Sequence, residues 1–91
     1  MPVTYALPVA SARARAVMSN TPPTYPYRSA GRPEVVYAME RMIDMAARDL
    51  GIDPAEMRKK NMITQDALPF DNKLGMTYDS GDFPANLDIA V

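Results

Sequence analysis

The sequence contains no cysteine, no histidine and no tryptophan. Without cysteine there is no disulfide, thiolate nucleophile, zinc finger or iron–sulfur ligation. Without histidine the usual near-neutral acid/base and the commonest metal ligand are missing. No apolar run approaches the roughly eighteen residues of a membrane-crossing helix, so no membrane partner is expected and the expected location is the cytoplasm. The net charge of −1 provides no basic excess for nucleic acid. What remains is 91 residues, 47% apolar and 23% charged. That is ordinary for one small soluble domain, and too short for two.

Charge is unevenly placed. Residues 1–33 hold four arginines and no acid, whereas residues 34–91 hold six basic and eleven acidic residues. An acid-free, arginine-bearing start resembles a transit peptide, but Pro2, Pro8, Pro22, Pro23 and Pro26 would break the amphipathic helix such a leader needs. No charged region precedes the short apolar stretch, so no secretory signal is expected.

The pattern predicts an α+β fragment. Residues 9–18 alternate with period two: Ala10, Ala12, Ala14, Ala16 and Met18 on one face, Val9, Ser11, Arg13, Arg15 and Val17 on the other. This suits a strand, with residues 1–8 a short lead-in. Residues 19–33 form a proline-rich loop, in which Gly31 can take positive φ. A long amphipathic helix is expected over 33–50. Pro33 opens it, and Val35, Val36, Met39, Met42, Ile43, Ala46 and Leu50 form an apolar stripe. Glu40, Asp44 and Arg48 follow at i, i+4 on its polar side, and Gly51 ends it. A short helix over 54–60 is capped by Asp53, with Glu56 completing a capping box and Arg58, Lys59 and Lys60 in its last turn. Loops follow, with a turn at 71–75, a short strand at 76–78, a turn at 79–82 and the start of a helix near 82–87. The helix stripe needs a larger sheet than this chain builds, which predicts an incomplete core and a piece of something bigger.

Residues 27–34, Tyr-Arg-Ser-Ala-Gly-Arg-Pro-Glu, are the most distinctive stretch. Arginines flank small residues just before a helix N-terminus. Backbone N–H groups there point outward, the dipole favours anions, and guanidinium forks match phosphate or carboxylate. A structural turn with solvated arginines is the simpler reading, and the residues alone leave both open. No histidine activates Ser29 as a nucleophile. Asp79 and Asp82 read as turn builders, because a calcium loop needs more oxygen ligands. Met39 and Met42 read as core. Arg58, Lys59 and Lys60 read as a solvated helix end. No catalytic residue and no metal ligand is expected within the chain.

The run over residues 21–61 resembles the large, molybdopterin-binding subunit of the molybdenum hydroxylases, the family of xanthine dehydrogenase, aldehyde oxidase and carbon monoxide dehydrogenase. The resemblance rests on Asn20-Thr21-Pro22, on residues 27–34, on Ala46-Ala47-Arg48-Asp49-Leu50-Gly51, on residues 53–61 and on residues 78–83. It implies an oxidoreductase that hydroxylates aldehydes or N-heterocycles with water, passing electrons to iron–sulfur and flavin subunits. It implies a molybdopterin cofactor beside Arg28, Ser29, Ala30 and Gly31, with Arg28 in contact. The position of Ala30 is aromatic in xanthine-oxidising members, and alanine cannot stack a purine. The position of Ser29 is a copper-bound cysteine in carbon monoxide enzymes, and serine lacks the thiolate. The family subunit is many times longer, and its catalytic glutamate has no counterpart here. The expectation is therefore one partial molybdopterin-binding domain over 1–91, binding cofactor only when assembled with the missing parts. The alternative is a non-catalytic small domain or gene remnant, binding no cofactor alone and self-associating through an exposed helix face.

Overall fold

Pro33 and Glu34 suit a helix N-terminus, and the run from Arg32 to Leu50 contains no glycine or further proline. In the computed structural model, which describes residues 3–23 and 25–91, this run forms the first helix, α1 (Arg32–Leu50). Gly51 stops it in the left-handed conformation at φ 65°, and the Ile52 N–H closes back on the Ala47 carbonyl at 2.9 Å. The second helix, α2 (Pro54–Asn61), starts at Asp53, whose carboxylate accepts from the Ala55 and Glu56 N–H groups at 2.9 and 3.1 Å. Glu56 does not return the bond that would complete a capping box. Its carboxylate lies 3.6 Å from the Lys59 ammonium instead.

Beyond α2 the chain forms a small antiparallel hairpin, β1 (Phe70–Asp71) with β2 (Thr77–Tyr78). Buried Asn72 shapes its turn by accepting from the Leu74 and Met76 N–H groups at 2.9 and 3.1 Å. Helix α3 (Phe83–Ala90) begins at Asp82, which accepts from the Ala85 N–H, and runs three residues past the expected span. The aromatic rings of Tyr78 and Phe83 meet edge to face at 5.9 Å.

The core is small. Val3, Tyr5, Ala47 and Ile63 are its buried apolar residues. Residues 3–7 run beside 61–63 through one antiparallel bridge, Tyr5 with Met62. The Ala6 N–H donates to Asn61 O at 2.8 Å, and the Ile63 N–H to Thr4 O at 2.9 Å. Of the lead-in strand expected over 1–8, the described residues form only this single bridge; Met1 and Pro2 lie outside them.

Two expectations are corrected. Residues 9–18 form no strand, because no other part of the described chain offers the edge whose carbonyls and N–H groups a strand needs. The helix stripe is only half covered. Met42 is 63% and Leu50 64% exposed, so Met42 is not core, and Met45 stands out beside it. The inward side of α1 keeps Val35, Met39, Ile43 and Ala46 of the stripe half-buried and extends to Glu40, Asp44 and buried Ala47.

The chain exposes 7451 Å² for its 10.0 kDa, where a folded monomer of that mass exposes about 5,200 Å². Its radius of gyration is 15.6 Å, against about 12 Å for a close-packed chain of this length. The isolated chain should therefore unfold over a broad range, with a calorimetric enthalpy well below the about 60 kcal/mol of a full-sized two-state transition. A sharp transition carrying that full enthalpy would show that the core is complete.

Candidate functional site

Two polar constellations flank α1. The first lies at its start. The Ala30 N–H donates to Tyr27 O at 2.8 Å and the Arg32 N–H to Ser29 O at 3.1 Å, so two tight turns succeed each other. They require left-handed backbone at Ser29 (φ 78°), Ala30 (φ 43°) and Gly31 (φ 82°). Glycine adopts this freely, but serine and alanine each give up about 1 kcal/mol or more. A Cβ on Gly31 would meet nothing within 4 Å, so backbone conformation rather than space favours glycine there.

The turns leave donors unused. Among the described residues no acceptor meets the N–H of Ser29, Gly31 or Glu34. The α1 N-terminus has no side-chain cap. Arg28 and Arg32 are both exposed, and neither enters an ion pair among the described residues. The structure thus gathers Arg28, Ser29, Ala30 and Gly31 on one exposed loop at the positive end of a 19-residue helix. Such a donor set fits a phosphate or carboxylate. Ser29 has no base beside it.

The second constellation joins α1 to α2. Arg58 Nε donates to Glu40 Oε2 at 2.8 Å, and Nη2 donates to Asp44 Oδ1 at 2.8 Å. Nη1 reaches Pro54 O at 3.1 Å, and the Tyr5 hydroxyl donates to Glu40 Oε1 at 2.7 Å. The Arg58 side chain is only 17% exposed, so the expectation of a solvated arginine is wrong. Glu40 and Asp44 turn to Arg58 rather than lining a polar side with Arg48. Burial opposes the charge on Arg58, but its bonds to Asp44 and Glu40 prevail and hold its pKa above the ordinary value. Burial, then the Glu40 carboxylate, push the Tyr5 hydroxyl well above the ordinary tyrosine range. Every partner is satisfied, so this cluster is a tie and not a reactive site. The sequence pattern missed Tyr5 and Arg58. The signal available was a pair of acids at i, i+4 with an arginine beyond the next turn.

The other candidates resolve simply. Asp79 accepts from the Ser80 hydroxyl at 3.1 Å and Asp82 caps α3, as turn builders do. No group of three acidic, cysteine or histidine ligands gathers among the described residues. No helix there is long and apolar enough to cross a membrane.

Comparison with known proteins shows the family of the chain. Residues 1–62 match the model of the molybdopterin cofactor-binding domain. The chain belongs to that family. It is 40% identical over 81 residues to the carbon monoxide dehydrogenase large chain of Hydrogenophaga pseudoflava, a match covering 87% of this chain and 10% of that one. It is 35% identical over 92 residues to the 6-hydroxypseudooxynicotine dehydrogenase complex subunit gamma of Paenarthrobacter nicotinovorans, covering 96% and 12%. A xanthine dehydrogenase molybdenum-binding subunit of Escherichia coli O157:H7 is 45% identical over 56 residues, covering 60% and 7%. The chain spans about a tenth of the length of the curated relatives it matches.

The Tyr5 bond gives a pH test of the fold around this site. A phenol whose pKa is raised on folding adds stability that is full below its unfolded value of 10.0 and is lost as pH rises beyond it. Helical content should fall as pH climbs past that value. Tyr5→Phe should lower stability at neutral pH by about 1 kcal/mol and remove that share of the alkaline loss. Equal alkaline slopes for both proteins, followed by circular dichroism, would reject the assignment.

Proposed function

We propose that this chain is a partial molybdopterin-binding domain that supplies a cofactor-side loop to a molybdenum-cofactor-dependent oxidoreductase. One observation carries the reading. The loop holding Arg28, Ser29, Ala30 and Gly31 lies inside the family span and leaves its arginine and amide donors without partners. Strained backbone concentrated at such a loop is the kind of outlier that functional sites keep.

In this reading Arg28 and the free amides of Ser29 and Gly31 hold the anionic part of molybdopterin, Ala30 lies between them, and Arg32 adds positive charge beside it. The bound cofactor supplies oxygen transfer from water and takes up the electrons. The chain's residues bind and orient, and none acts as acid or base, so the base comes from the assembled remainder. An aldehyde or N-heterocycle is the substrate class. The relatives named for nicotine and 6-hydroxypseudooxynicotine conversion support it. Ala30 lacks a ring to stack a purine, and Ser29 lacks the thiolate for copper. The partners are the missing segments together with iron–sulfur and flavin subunits; one relative is itself named as part of a dehydrogenase complex. We place the assembly in the cytoplasm.

A second reading has its own observation. Val36, Met42, Met45 and Leu50 leave an apolar flank of α1 exposed, which a non-catalytic chain would use for self-association.

Native mass spectrometry with molybdenum analysis, on the protein from its own cells, separates the two. The proposal expects a large assembly with stoichiometric molybdenum; a metal-free homo-oligomer establishes the second reading. Within the assembly, Arg28→Ala should weaken cofactor retention about tenfold or more, with Arg28→Lys between, since lysine keeps charge but loses the fork. Unchanged retention in Arg28→Ala would remove Arg28 from the site.

A further inference from the structure

We propose that Arg58 is a positioning residue for the cofactor-side loop. By gripping Glu40 and Asp44 together it fixes the roll of α1, and with it the direction in which Arg28 and the amides of Ser29 and Gly31 face. This rests on the proposed function, in that the loop must meet the cofactor. Glu40 and Asp44 lie one turn apart on the same side of α1. Arg58 Nε holds Glu40 Oε2 and Nη2 holds Asp44 Oδ1, each at 2.8 Å. Nη2 also reaches the Glu40 carbonyl at 3.4 Å, and Nη1 the Pro54 carbonyl at 3.1 Å. The fork is thus anchored to the backbone of α2 on one side and to α1 on the other. Two grips one turn apart stop α1 from sliding and from rolling, whereas a single grip acts as a pivot.

Little else sets that roll. Ala47 is the one buried residue of α1. The apolar residues beside it are half-buried, and apolar contact is non-directional. The loop has no anchor of its own either. Among the described residues, no hydrogen bond or ion pair joins residues 8–31 to anything beyond the first turn of α1. The direction of the loop is therefore inherited from the helix it opens. At about 1.5 Å per residue, Glu40 stands roughly 14 Å along the axis from Gly31. A swing of about 10° over that length carries the loop about 2 Å, which is more than a hydrogen bond tolerates.

The chain has no cysteine, so two introduced cysteines carry spin labels without interference. Glu34 in the first turn of α1 and Lys60 near the end of α2 are exposed and outside every ion pair among the described residues. Glu34→Cys with Lys60→Cys in the 91-residue chain should give one narrow distance distribution. Arg58→Lys keeps the charge but loses the fork, and should broaden that distribution while circular dichroism shows the helices retained. If Arg58→Lys loses its helices, Asp44→Ala carries the same test. It removes one grip, leaves Tyr5, Glu40 and Arg58 joined, and places a strong helix former in α1. In the molybdenum assembly from the protein's own cells, either variant should weaken cofactor retention roughly tenfold. Because Arg58 acts through the loop, Arg58→Lys with Arg28→Ala should weaken retention by less than the product of the two single effects. A purely structural tie would lower thermal stability and leave both the distribution and the retention unchanged. A distribution as broad with Arg58 in place as without it overturns the proposal, as does broadening with full retention, or two effects that multiply. Loss of retention with Arg28→Ala but not with Arg58→Lys rejects Arg58 alone. No loss with Arg28→Ala, or no molybdenum assembly, rejects the loop's role and this proposal with it.

Discussion

Arg58 holds this structure together. Its guanidinium takes Glu40 and Asp44, one turn apart on α1, and the Pro54 carbonyl on its own helix. Glu40 in turn receives Tyr5. Three stretches distant in sequence, residues 3–7, α1 and α2, are thus clamped by one planar fork. Lysine could not do this, since a point charge cannot address two carboxylates and a carbonyl in fixed directions. The clamp substitutes for a hydrophobic core. Val3, Tyr5, Ala47 and Ile63 bury apolar area, but a handful of side chains at about 2 kcal/mol each cannot outweigh the ordering of the whole chain. Removing Arg58 alone would leave two carboxylates half-buried and close together, so the lost tie and the new repulsion act in the same direction.

Local rules were legible in the sequence and tertiary ones were not. The helix stop at Gly51 and the cap at Asp53 each depend on a few adjacent residues, and each sits where the pattern places it. The hairpin turn around Asn72 and the cap at Asp82 are local in the same way. The polar side of α1 was misread because i, i+4 spacing pairs Asp44 with Arg48 in an isolated helix. A helix packed alongside offers Arg58 at 2.8 Å with less exposure, and the buried partner prevails. The period-two tract at 9–18 has a strand's alternation but forms no strand, because a strand is a property of two segments and no second segment pairs with it among the described residues. Family membership was legible because residues 27–34 and 53–61 carry their motifs in order. No local physics distinguishes an anion loop from a plain turn.

The site loop stands apart from the clamp in its energetics. Ser29 and Ala30 are held left-handed by backbone bonds within the turn, and both are exposed. Strain of that kind normally persists when surroundings over-determine it. Here the surroundings are water on one side and the rigid start of α1 on the other. A ligand that accepts the free amides of Ser29 and Gly31 would therefore do two things at once. It would satisfy donors that water now solvates, and it would hold a conformation the chain pays for alone.

Charge placement points the same way. The ion pairs of the described chain all lie between residues 40 and 88, where acids outnumber bases. The arginines of residues 1–33 have no acid within their own stretch and no ion-pair partner among the described residues. Four cations on an acid-free stretch repel one another. Salt screens that repulsion, since all four side chains are exposed. Five of the eleven acids are ion-paired: Glu40 and Asp44 with Arg58, Glu56 and Asp88 with Lys59, and Asp71 with Lys73. An acid-free sequence and four exposed arginines thus give the first third its positive charge, and the ion pairs that shape the fold lie in the rest of the chain.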